Sequence, residues 1–178
     1  MKQLKKLVLA ALFLALAYVM PFLTGQIPQI GSMLLPMHLP VLLCGFVCGW
    51  PYALAVGLLA PLTRHLMLAM PPLMTAICMS FELAAYGALT GLFYKLFPKK
   101  TVFLYVSLIL AMLGGRVVSG LANAFFMGIA GKAYGLSAFV AASFVTALPG
   151  IILQLVAVPV LVIALQKSGA INGPRAAA

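Results

Sequence analysis

Apolar residues in this chain do not alternate with polar ones; they run continuously. Six runs stand out, at Leu4–Leu23, Leu35–Gly49, Pro51–Met70, Leu73–Phe97, Val102–Ile129 and Leu136–Leu165. Most reach the ~20 residues that a helix needs to cross a hydrocarbon core about 30 Å thick. A membrane β-barrel would instead show alternation in short segments, and none is present. The runs therefore predict an all-α integral membrane protein, a bundle of six transmembrane helices forming a single membrane domain over residues 1–178. Pro71-Pro72 and Pro98-Lys99-Lys100 separate spans, and Trp50-Pro51 makes a tighter break. Pro21–Pro36 holds three prolines and two glycines, so it reads as an irregular loop or re-entrant lid.

Composition agrees: 65% of residues are hydrophobic and 7% charged, against roughly a quarter charged in soluble domains. The net charge of +10 does not point to nucleic acid, because the lysines flank the apolar runs. Lys2, Lys5 and Lys6 open the chain at the start of the first span, Lys95, Lys99 and Lys100 sit together around the end of the fourth, and Lys167 and Arg175 follow the sixth. Six crossings with both termini in the cytoplasm place all of these inside and only Lys132 outside. The first run is too long for the apolar part of a cleaved signal and lacks a convincing A-x-A site. The expected location is the cell membrane, multi-pass.

Chemistry-bearing motifs are missing. No Walker A, H-E-x-x-H or G-x-S-x-G sequence occurs, and a single acidic residue, Glu82, cannot serve as both acid and base. No enzymatic activity, cofactor or metal is expected. Cys44, Cys48 and Cys78 lie in apolar runs and read as small buried thiols without a disulfide. No internal repeat of the kind seen in inverted-repeat transporters is present.

What remains is a set of polar residues within the spans, where ionisable groups cost ~2.5–3.5 kcal/mol each on insertion scales and usually serve a purpose. His38 opens the second span, Arg64 and His65 lie in the third, Glu82 in the fourth, Arg116 and Asn123 in the fifth and Gln154 in the sixth. Nearly all fall at the centre or in the outer half. Arg116 and Asn123 share a helix face, as do Glu82 and Tyr86. Glu82 and one arginine alone would be an ion pair knitting helices together. A second arginine leaves one positive charge over, which a bound small carboxylate would balance. In the first span, Ala11 and Ala15 form a small-xxx-small pair suited to close helix packing, within the bundle or against a partner.

The stretches LLPMHLPVLLCGFVCGWPYALAVGLLAPLTRHLMLAMPPL (Leu34–Leu73) and SFELAAYGALTGLFYK (Ser80–Lys95) resemble the substrate-binding S components of energy-coupling factor (ECF) vitamin transporters. The pattern P-M-H-x-P-V-L-x-x-G, the later M-P-P and E-x-x-x-Y-G carry the resemblance, which runs closest to the pantothenate-type branch. It implies a six-helix subunit that captures a vitamin from outside. Ala11 and Ala15 match the family's A-x-x-x-A motif for docking on a transmembrane coupling protein, which two cytoplasmic ATPases drive. Thr24–Pro36 looks like the family's lid. The expected ligand contacts are Arg64 and Arg116 to the carboxylate, His38, Asn123 and Gln154 to amide or hydroxyl groups, and Glu82 orienting an arginine or accepting from a hydroxyl. Pyridoxine or another vitamin precursor is the alternative cargo. A membrane scaffold without a ligand is the alternative class.

Overall fold

The computed structural model describes residues 3–24, 27–98, 100–129, 131 and 134–169, and it is helical with no strand among them. The elements are α1 (Gln3–Val19), a 3-10 turn (Met20–Thr24), α2 (Pro28–Leu34), α3 (His38–Cys48), α4 (Trp50–Leu68), α5 (Leu73–Leu96), α6 (Thr101–Ile129), α7 (Leu136–Val140), a π-helical stretch (Ala141–Thr146) and α8 (Leu148–Lys167). Five segments are long and apolar enough to cross a membrane: Gln3–Thr24, Pro28–Cys48, Leu73–Leu96, Thr101–Ile129 and Leu148–Lys167. The 19-residue α4 is not among them, because Arg64 and His65 dilute its apolar run.

Two expected spans differ in detail. The Pro21–Pro36 segment is helical rather than irregular: Pro28 starts α2, where a missing N–H costs nothing, and Leu35 ends it in the left-handed conformation. The last apolar run is not one helix. Pro149 has no N–H to bond back into the preceding turn, so the chain passes from α7 through the π stretch and restarts at α8. Lys2, Gly25, Gln26, Lys99, Lys132, Arg175 and the tail beyond Gly169 lie outside the described residues.

The bundle is organised around α3, whose residues are almost all buried between α1, α4, α5 and α8. Gly49, at a φ of 96°, takes a conformation that side chains oppose and turns the chain sharply from α3 into α4. Glycines then draw α3, α4 and α5 together. A methyl group at Gly87 would stand 2.5 Å from the Ala53 carbonyl oxygen, and one at Gly57 would strike the Leu83 backbone. Backbones in direct contact are the usual way helices associate in lipid, where there is no hydrophobic drive between them. Gly114 and Gly115 do the same on α6, making room for Leu89 and the Tyr86 ring.

The helix ends sort charge to one side. The Tyr52 hydroxyl donates to Gln3 Oε1 at 2.7 Å, and Gln166 Nε2 donates to the Tyr94 hydroxyl at 2.8 Å. These bonds bring the start of α1, the start of α4, the end of α5 and the end of α8 to one end of the bundle. Lys5, Lys6, Lys95, Lys100 and Lys167 all belong to that end. On α1, Ala10, Phe13 and Ala17 face the bundle, while Ala11 and Ala15 are exposed among Leu7, Val8, Leu12 and Leu16. The small pair thus sits on the outer face rather than in the core.

Candidate binding cavity

At the end opposite the lysines, a cavity of about 680 Å³ is walled by α2, the end of α4, the start of α5, the second half of α6 and the π stretch. His38, Arg64, Glu82, Arg116 and Asn123 all line it. Gln154 does not; it is fully buried in α8, and neither amide atom has a hydrogen-bond partner among the described residues.

Glu82 is the hub, 6% exposed. Its Oε1 accepts from Arg116 Nη1 at 3.1 Å and lies 3.3 Å from His38 Nε2, while Oε2 accepts from Ser119 Oγ at 2.8 Å. Three helices, α3, α5 and α6, meet at this carboxylate. Spacing explains the Ser119 contact: Ser119 follows Arg116 by three residues and shares its face. The Tyr86 ring packs edge-on to His38 with centroids 5.0 Å apart and lies 6.0 Å from the Arg116 guanidinium carbon. Asn123 donates back to the Ser119 carbonyl at 2.8 Å.

Buried polar atoms are normally paired, so unpaired ones mark where a partner belongs. His38 Nδ1, the Tyr86 hydroxyl, and Arg116 Nε and Nη2 have no partner among the described residues. Arg116 thus spends one Nη on Glu82 and keeps two donors over, while Glu82 is shared among three neighbours.

Arg64 is held differently. Its Nη1 donates to the Tyr18 carbonyl at 2.7 Å, and its guanidinium carbon lies 5.7 Å from the Tyr18 ring centre and 5.0 Å from that of Phe22. A cation at the C-terminal end of α1 meets the negative end of the helix dipole. Arg64 therefore ties the cavity wall to the end of α1 and the 3-10 turn that follows it. His65 points elsewhere: its Nδ1 lies 2.8 Å from the Pro71 carbonyl in the α4–α5 turn.

Some lining residues were not singled out from the sequence. Tyr134 lies in the connection before α7, and its phenol is pushed up in pKa by burial first and then by the negative charge of Glu82. Ala142 and Ser143 come from the π stretch, a conformation frequent at functional sites. The Leu148-Pro149-Gly150 break was the available signal. Gly150 also seats α2: a methyl there would stand 2.7 Å from the Met33 carbonyl oxygen. Cys44, Cys48 and Cys78 are buried free thiols.

No curated protein and no solved structure matches the chain. A family model described as ECF transporter, substrate-specific component, matches residues 5–162. That match covers most of the 178 residues, and the chain belongs to the substrate-specific components of ECF transporters.

Proposed function

We propose that this chain captures a small carboxylate vitamin, pantothenate foremost, through the cavity that Arg64 and Arg116 line. Membership of the family makes it a substrate-binding subunit of a multi-pass membrane importer, working with a coupling protein and ATPases. The observation that carries the proposal is the charge balance. Two arginines and a single glutamate line one cavity, so its lining side chains carry one more positive than negative charge. A monoanion restores neutrality. Its carboxylate is placed between Arg64 and the spare donors of Arg116, and its amide or hydroxyl groups meet His38 and Asn123, which line the same cavity. The bundle has six spans with α4 as the third, both termini are cytoplasmic, and the cavity opens outside with residues 24–36 as its lid.

A thermal-shift screen of the purified protein against a vitamin panel tests this. A large shift with one carboxylate vitamin is the expected result. A shift with pyridoxine alone would replace the anion by a neutral cargo. Unchanged melting with every compound would leave the polar residues a scaffolding role.

The exposed Ala11 and Ala15 form the docking face for the coupling protein, since small residues let a partner's backbone approach. Ala11→Trp with Ala15→Trp is expected to abolish co-purification with that protein while ligand-induced stabilisation persists. Undiminished co-purification would move the docking face elsewhere.

A further inference from the structure

The lysine-rich end carries a second cavity, of about 660 Å³, between the start of α1, the α3–α4 turn and the end of α5. Lys6 and Lys95 line it from two sides, and Trp50, Tyr52 and Tyr94 add aromatic rings. Its walls are braced by the Tyr52–Gln3 and Tyr94–Gln166 hydrogen bonds. Small residues let these walls meet: a methyl group at Gly91 would strike the Trp50 backbone.

No side chain of this protein can neutralise these lysines. Glu82 is the only acidic residue, and it lies in the other cavity, bound to Arg116. The cavity therefore presents two cations with no acidic side chain opposite them. Trp and Tyr beside lysines are the residues that settle at a membrane's headgroup level, and basic pockets between spanning helices hold anionic lipid headgroups. Phe46, Val47 and Pro51 supply apolar wall next to the charge, which suits a glycerol backbone and the first acyl methylenes better than a free ion. Trp50, which lines the cavity, is 43% exposed, so the cavity is not sealed on that side.

We propose that this cavity is a binding site for the headgroup of an anionic glycerophospholipid, with Lys6 and Lys95 as the phosphate-binding pair. It is separate from the vitamin cavity and does not depend on the identity of the vitamin.

Native mass spectrometry of the full chain in neutral detergent tests it, with phosphatidylglycerol and phosphatidylcholine of identical acyl chains as probes. Phosphatidylglycerol is expected to bind more tightly. Lys6→Gln and Lys95→Gln should each weaken it about fivefold, and on the order of 25-fold together. Lys6→Arg with Lys95→Arg should keep the preference, since either cation pairs with phosphate. Should the double glutamine variant fail to fold, Lys95→Gln alone, at an exposed position, must still show its fivefold loss. Equal binding of the two lipids, or a preference that survives both glutamines, overturns the proposal and leaves an acidic protein surface as the counter-charge. Displacement of the lipid by equimolar glycerol phosphate overturns it in favour of a soluble anion. Stabilisation by the vitamin should be unchanged in every variant.

Discussion

Replacing Arg116 by alanine is expected to lower the stability of the bundle by about 3–5 kcal/mol, because it strands a buried carboxylate. Glu82 would keep only Ser119 as a donor and His38 as a neighbour, at a point where α3, α5 and α6 converge. Loss of ligand binding by this variant alone would therefore say little about the ligand. The informative comparison is the pair Arg116→Met with Glu82→Gln, which removes both charges at similar volume. It should regain most of the lost melting temperature, since replacing a buried ion pair by well-packed neutral groups is often neutral or better. It should still fail to bind a carboxylate vitamin, having lost the spare guanidinium donors. If Arg116→Ala melts like the parent, the Glu82–Arg116 pair does not bear on folding. If the double variant binds as well as the parent, Arg116 is no part of the anion site.

Arg64→Gln should produce the larger effect on binding with a smaller one on folding. Arg64 is anchored to a backbone carbonyl and two aromatic rings, none of which becomes an orphaned charge when the guanidinium is removed. Removing one partner of a buried charge pair costs about 2–5 kcal/mol, which is roughly 30- to 4000-fold in affinity at 1.4 kcal/mol per tenfold. The loss should be confined to charged ligands. The carboxamide analogue of the same vitamin should bind the variant and the parent alike. Isothermal titration with both compounds reads this directly. An equal loss for acid and amide would make Arg64 a structural strut of the cavity wall, not an anion receptor.

How far the sequence foretold this arrangement depended on whether a feature is local. The lysine clusters and apolar runs are local, and they placed the ends of α1, α5 and α8 together on one side. The polar residues were legible for a related reason: in an apolar chain, Arg64, Glu82 and Arg116 stand out as costly, and the cavity contains all three. Ser119 lies between Arg116 and Asn123, where a lone serine in a span carries no such signal, yet it supplies the shortest hydrogen bond to Glu82. Gln154 shows the opposite error. Polarity in a span signals a buried partner, but it does not say on which side of a helix the cavity lies. Composition also hid the π stretch, since Ala141–Thr146 is apolar throughout except for Ser143 and Thr146. Only the proline downstream could reveal that this run does not continue as one helix. The lid illustrates a third limit: prolines and glycines argued for a loop, whereas Pro28 at a helix start favours α2 instead.

The glycine contacts among α3, α4 and α5 have a mechanical consequence. Helices joined this closely, at Gly57 against Leu83, Gly87 against Ala53 and Gly45 of α3 against the Gly87 carbonyl oxygen, have no compressible side-chain layer at these contacts and travel as one piece. His38, Arg64 and Glu82 ride on that piece. The π stretch and α2, which is seated on Gly150 of α8, stand outside that piece, so any opening of the cavity would fall to them and leave the aligned charges of the floor in place.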